Sequence, residues 1–232
     1  MAQVWLITGC SSGFSSKFVT QVLFRRDKLD VTAFQETPNQ KASDAIAINR
    51  KVDVLVNNTA YTQFSTLEDM KLGDHVSQFT TNSFKTINIT RAFLPHLRKR
   101  REGVIVHIGS MAAWESYPAV GAYSASKAAT DATEALDHGT NDLGIKTLLV
   151  ESCQCRTELL SAESRVFAEP KFPEYQELTG ANGKQRSDPK KQLHVSLMWS
   201  RGERGQKRDS GQRSWRWARM RWQPFGRSDK IR

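Results

Sequence analysis

The sequence predicts an α/β fold, a doubly wound parallel sheet of about five strands in a single domain, and three observations carry that prediction. VWLIT, an apolar run, leads straight into a Gly-Ser turn and an amphipathic helix. VDVLVN and GVIVHIG are short, nearly continuous Val/Ile runs, the composition of parallel strands buried on both faces. Segments with helical character separate these runs, giving the alternation of a βαβ protein. A chain of 232 residues is long enough to bury a sizeable core.

In chain order, Gln3–Thr8 reads as the first strand and Gly13–Arg26 as the first helix. Leu29–Phe34 is expected as the second strand, although Asp30 breaks its apolar run and is expected to be a buried charge without a partner unless water reaches it. Glu36 to Arg50 is polar, with a helical hint at SDAIAIN, and Val52–Asn57 is a buried strand. Thr66–Leu72 is a short segment before a long helix over Asp74–Arg101, expected to bend where Pro95 interrupts it. Gly103–Gly109 is a strand, Gly121–Leu143 a helix and Ile145–Glu151 a further strand. Beyond Thr157 the chain turns polar, and Arg201–Arg232 is dominated by Gly, Arg and Trp with no period of 2 or 3.6. The expected organisation is one α/β domain over residues 1–200 and a disordered or loosely docked tail over 201–232.

The net charge of +10 suggests nucleic acid until it is located. Arg201–Arg232 holds 11 Lys/Arg against 3 Asp/Glu, whereas the first 200 residues hold 23 against 21. The basic character therefore belongs to the tail, and no nucleic-acid-binding motif accompanies it, so no specific nucleic-acid partner is expected. No apolar run reaches the ~18 residues of a membrane span and no signal-peptide pattern opens the chain, so the cytoplasm is the expected compartment. Cys10, Cys153 and Cys155 form neither metal spacing nor a disulfide framework, and the five His are scattered, so no metal is expected.

Chemistry concentrates in SMAAWESYPAVGAYSASK. Tyr123 and Lys127, four residues apart, stack on one face of a helix. An ammonium beside a phenol stabilises the phenolate and lowers a pKa that starts near 10, which would let Tyr123 pass a proton near neutral pH. Ser110, ending the strand GVIVHIGS, is placed to reach the same substrate oxygen. At the N-terminus, TGCSSGFSS follows a strand and opens a helix, the context a dinucleotide fingerprint requires, with Gly9 and Gly13 in place and Ser15 at the third glycine position.

Taken together, TGCSSGF, VDVLVNN, the Asn in FTTNSFKTINITRAFLP, GVIVHIGS, YSASK and VESCQCRTE resemble the short-chain dehydrogenases/reductases, in that family's order, over roughly Gln3 to Thr157. The resemblance implies a Rossmann-like sheet and hydride exchange between a nicotinamide cofactor and a carbonyl or secondary alcohol of a small organic substrate, with secondary metabolism as one setting. It makes Tyr123 the general acid or base, Lys127 the group that tunes it and binds the nicotinamide ribose, and Ser110 the orienting hydroxyl. Asn82 becomes the fourth member, holding a water behind the lysine. On the cofactor side it implies Gly9, Ser11, Gly13, Phe14, Thr32, Asn57, Arg91 and Thr157, together with Tyr123 and Lys127. A homodimer through the helices at Asp74–Arg101 and Gly121–Leu143 is also implied.

Cofactor preference is set at the end of the second strand, where an acid binds the ribose hydroxyls. Phe34 and Gln35 stand there, which favours NADP(H) over NAD(H), while Glu36 just beyond argues the other way. Four departures from the family pattern point to a weakened enzyme, or to a relative that keeps the fold and serves as a binding protein. They are Ser15, Ala60 where the family has Gly, Ser152-Cys153 in place of Pro-Gly, and too few residues between the second strand and VDVLVN for the usual extra helix and third strand.

Overall fold

The computed structural model describes residues 2–10, 13–32, 37–115, 118–152, 165–167 and 172. Its elements run β1 (Val4–Thr8), α1 (Gly13–Phe24), β2 (Lys28–Thr32), α2 (Pro38–Asn49), β3 (Val54–Asn57), β4 (Thr62–Phe64), α3 (Leu72–Phe79), α4 (Lys85–Arg100), β5 (Gly103–Ser110), α5 (Gly121–Asp131), α6 (Ala135–Thr140), β6 (Ile145–Ser152) and β7 (Arg165–Phe167). Five strands form a parallel sheet in the order β2-β1-β3-β5-β6, and β4 pairs in parallel with β7 as a second, two-stranded sheet.

That order follows from handedness. A strand–crossover–parallel strand unit is right-handed, so a chain that reverses its direction across the sheet must change faces. The chain steps outward from β1 to β2, then returns past β1 to β3. Accordingly α1 covers one face, where Phe18 and Val22 pack on Trp5, Ile7, Val54 and Val56. On the other face Ala42 and Ala45 of α2 and Ile89, Phe93 and Leu97 of α4 pack on Leu6, Leu55 and Ile105. The alternation along β1 and β3 is the two-residue period of a strand buried on both sides.

The polar stretch after β2 folds as a complete helix for local reasons. Thr37 is extended (φ −65°, ψ 145°) and caps α2 by accepting from the Gln40 N–H, Pro38 occupies the first turn, and Arg50 ends the helix in the left-handed region at φ 61°. Among the described residues no strand lies beyond β2, in line with the short connection. Asp30 differs from expectation. On this edge strand it is half-buried, Asn49 Nδ2 donates to it at 3.4 Å, and Lys41 of α2 opposes the burial that raises its carboxyl.

The long helix also departs from its expected form. α4 continues through Pro95, held by the buried Phe93 and Leu97 that flank it. The irregularity lies earlier, where Thr80–Phe84 adopts π-helical hydrogen bonding between α3 and α4. The expected helix over Gly121–Leu143 is divided into α5 and α6 by a 3-10 turn, Ala132–Glu134, with a second turn over Asn141–Leu143. The turn closes on Gly144, whose φ is +74° and whose Cα faces the Arg101 carbonyl so closely that a Cβ would lie 2.1 Å from the oxygen. Neither β4 nor β7 is foreshadowed by periodicity, since three residues are too few to show one.

At the opposite end of the sheet from the site, Asp53 pins three elements. Its carboxylate accepts from the Val4 N–H at 2.8 Å and pairs with Lys51 at 2.8 Å and Arg100 at 2.6 Å. Burial works to raise its pKa, but these hydrogen bonds outweigh it and hold the carboxyl below its ordinary value.

Candidate active site

In an open parallel sheet, ligands bind outside the carboxyl ends of the strands where the strand order reverses. Here that point lies between β1 and β3. β1 ends at Gly9, with φ +68°, and its bare Cα faces Thr59, where a Cβ would approach to 2.9 Å. The two strand ends are tied together, for Thr8 Oγ1 accepts from the Asn58 and Thr59 N–H groups while Asn58 Nδ2 donates to the Thr8 and Gly9 carbonyls. α1 starts at Gly13, and its first turn carries no acidic residue, leaving the helix N-terminus suited to a phosphate. Ala60 has no positive φ, so Ala where the family carries Gly costs no backbone strain.

Asn57 lies inward of that junction. It is buried, its Nδ2 donates to Thr90 Oγ1 at 3.0 Å, and it stands 3.3 Å from His107 Nδ1. With the amide nitrogen toward it, the fully buried His107 carries its proton on Nε2, which has no hydrogen-bond partner. Burial first, and the Lys127 charge second, push this imidazole down to about 4.

One strand further along, β5 delivers Ser110 at its carboxyl end, buried and accepting from the Ala112 N–H at 3.2 Å. α5 presents Tyr123 and Lys127 one turn apart, both buried. Lys127 Nζ donates to the Ile108 carbonyl at 2.7 Å and lies 5.9 Å from the centre of the Tyr123 ring. The structure thus brings Ser110, Tyr123 and Lys127 together at the end of β5.

The phenol is not tuned as the spacing suggested. Burial pushes Tyr123 up to about 12, the Ser110 and Thr62 hydroxyls act in the opposite sense, and Asp131 adds to the rise. The reason is geometric: the Lys127 ammonium is tied back to β5 instead of resting against the hydroxyl. Lys127 itself is lowered to about 8, by burial, with Asp131 working against the shift.

Asn82 sits in the π-helical segment, nearly inaccessible, and every atom of its amide is used. Its Oδ1 accepts from the Tyr61 N–H, and its Nδ2 donates to the Tyr61 carbonyl and to Ser126 Oγ. One turn earlier Gln78 repeats the pattern, accepting from the Gln63 N–H and donating to the Tyr61 carbonyl. These two amides fasten the segment that includes β4, and hence Thr62, against α5. The Asn82 carbonyl accepts from the Thr86 and Thr130 hydroxyls at 3.1 Å each.

Of the remaining candidates, Gly13 and Phe14 open α1, and Thr32 pairs with Thr8 at the carboxyl end of β2. Arg91 is exposed on α4 and is not gathered to the site. Ser11, Phe34, Gln35, Glu36 and Thr157 lie outside the described residues, as do the Cys153 of the altered Pro-Gly position and the tail from Arg201.

Sequence reasoning missed Thr62, Gln78 and Asp131. For Asp131 a signal existed, because it continues the Tyr123–Lys127 spacing by one more turn of the same helix face. Thr62 and Gln78 are brought in by tertiary approach and leave no local signature.

Comparison with known proteins agrees with this fold. The family model described as short chain dehydrogenase matches residues 24–165. The chain is 31% identical over 147 residues to an uncharacterized oxidoreductase, YusZ, of Bacillus subtilis, covering 61% of this chain and 52% of that protein. It is 32% identical over 170 residues to a 3-ketodihydrosphingosine reductase of Bacteroides thetaiotaomicron, covering 64% and 62%. The chain therefore spans roughly half to three-fifths of the length of these curated relatives. Among solved structures, a short-chain dehydrogenase from Streptomyces avermitilis superposes with a TM-score of 0.76 at 29% identity, over 85% of this chain and 83% of that one.

Proposed function

The chain belongs to the short chain dehydrogenase family, and from that premise we propose that it is an oxidoreductase exchanging a hydride between a nicotinamide cofactor and a carbonyl or secondary alcohol of a small organic molecule. The observation that carries the reading is the convergence of buried Ser110, Tyr123 and Lys127 at the carboxyl end of β5, beside the reversal point of the sheet. Gly9, Gly13 and the α1 N-terminus would hold the dinucleotide's phosphates, with Asn57 and Asn58 bracing the junction beneath them, and the nicotinamide supplies or accepts the hydride. NADP(H) is favoured over NAD(H) by the uncharged Phe34 and Gln35 after β2.

Ser110 donates its hydroxyl hydrogen toward the substrate oxygen and orients it. Tyr123, kept neutral by burial, gives up its phenolic proton to that oxygen as negative charge develops there. Lys127 holds a positive charge 5.9 Å from the centre of the Tyr123 ring, anchored on the Ile108 carbonyl. Thr62 joins Ser110 in favouring the phenolate that remains. Exposed Val76 on α3, Phe84 at the end of the π-helical segment and Ile87 on α4 support a homodimer through these elements.

A second reading, a relative that binds the cofactor or a partner without turning over, is favoured by the raised Tyr123 and by the outer edge of β2, on which no strand pairs among the described residues. One experiment separates the two. Purified protein is titrated with NADPH and NADH by intrinsic Trp fluorescence, then assayed for NADPH oxidation across a panel of ketones and aldehydes. The oxidoreductase reading expects saturable NADPH quenching and turnover with at least one carbonyl. Binding without turnover on the whole panel selects the second reading, and no binding of either nucleotide defeats the oxidoreductase reading.

A further inference from the structure

One buried charge beside the site has no role in the scheme above. Asp131 ends α5, one turn beyond Lys127 and two beyond Tyr123. The residue is 6% exposed, and neither carboxylate oxygen accepts from an N–H group or a hydroxyl. An isolated buried carboxylate is costly unless an opposite charge compensates it. The space it occupies is made by a glycine, since a Cβ at Gly109 would stand 2.3 Å from Asp131 Oδ1. Gly109 lies between Ile108, whose carbonyl holds Lys127 Nζ at 2.7 Å, and Ser110. Asp131 thus reaches the same short stretch of β5 that anchors the lysine. Among the described residues it is also the charge that works to keep Lys127 protonated.

We propose that Asp131 is a positioning residue for Lys127: its carboxylate, seated against Gly109, keeps the buried ammonium charged and fixed beneath Tyr123. The catalytic consequence rests on the oxidoreductase reading, whereas the coupling itself does not. The other groups facing Asp131 are named by the same geometry. Glu151, paired with Gly109 in the β5–β6 register and held by Trp114 Nε1, approaches closely enough to share a proton with it. Glu134, on the following 3-10 turn, adds a third negative charge. Burial, Glu151 and Glu134 push Asp131 up to about 7 and Lys127 pulls it down. As the pH falls through that range Asp131 takes up a proton and stops supporting the ammonium.

The test follows the lysine directly. Protein labelled with 13C at lysine Cε, with the Lys127 signal assigned through Lys127→Arg, is titrated by NMR as wild type, Asp131→Asn and Glu151→Gln. The Asn variant is isosteric and removes a buried charge, so it retains the fold. Its Lys127 midpoint falls by about 1 unit or more, the size expected when a close counter-charge is lost. Glu151→Gln, which removes the competitor and leaves Asp131, holds the midpoint at or above the wild-type position. A Lys127 midpoint unmoved in Asp131→Asn overturns the proposal, and so does an equal fall in both variants, which would report a general disturbance. If no carbonyl is turned over yet Lys127 shifts as stated, the oxidoreductase reading fails and the Asp131–Lys127 coupling stands.

Discussion

Acidification should weaken this protein through His107. The imidazole is fully buried on β5 with an Nε2 that has no partner, and it is held down to about 4 against an ordinary 6.5. Its folded value lies below its unfolded value, so the unfolded chain binds the proton first. The stability associated with neutral His107 is intact above about pH 6.5, declines as the pH falls, and is fully lost below about pH 4. At 1.36 kcal/mol per unit, the wild type at pH 4.5 loses about 2.5 kcal/mol relative to pH 7.5 from this group alone. The assay is urea denaturation at half-unit intervals between pH 7.5 and 4.5, on wild type and on His107→Asn, which cannot titrate. Subtracting one curve from the other removes the carboxylates common to both. A difference that opens below pH 6.5 and reaches about 2.5 kcal/mol bears the reasoning out. Parallel loss of stability in the two proteins refutes it, and would mean that the folded protein accepts a charge at His107.

Tyr123→Phe retains the ring packing and removes the proton carrier, so turnover should fall by about 100-fold or more while NADPH affinity measured by Trp fluorescence stays close to wild type. Asp131 has a folded value near 7 against 3.8, so it binds its proton more readily when folded. Its own contribution to stability should fall as the pH rises from about 4 to 7, and Asp131→Asn should be the more stable protein above pH 8 by urea denaturation. Gly144→Ala puts a Cβ against the Arg101 carbonyl at a positive φ and should cost more than about 1 kcal/mol in the same assay. Deleting Arg201–Arg232 should leave the melting temperature nearly unchanged and weaken any salt-dependent binding to nucleic acid, because the charge excess lies in that segment.

The parts of this fold that could be read from the chain were those stated by continuous local pattern. VWLIT, VDVLVN and GVIVHIGS announce strands buried on two faces, and the sheet contains all three. The Tyr123–Lys127 spacing announces one helix face, and α5 provides it. What stayed hidden depends on approach through space. The raised Tyr123 follows from burial beneath β4, a three-residue strand that no sequence window detects. Pro95 reads as a helix breaker, yet tertiary packing on both sides of it carries α4 through. The π-helical turn at Asn82 is no property of TTNSF alone, since the bonds from Asn82 and Ser83 to Tyr61 and Ser126 involve distant segments.

The reversal at β2 bears on how such a chain can change over evolutionary time. β2 is the outermost strand, and the segment leaving it enters α2 on the face opposite α1. Because crossover handedness ties each helix's face to the direction of travel, a helix–strand pair outside β2 is a detachable module. Losing it shortens the outward journey by one step and leaves the homeward step, its helix and its face unaltered. An outer edge is therefore where a doubly wound sheet can be trimmed by genomic deletion, or extended by design, without redirecting the residues gathered at β5.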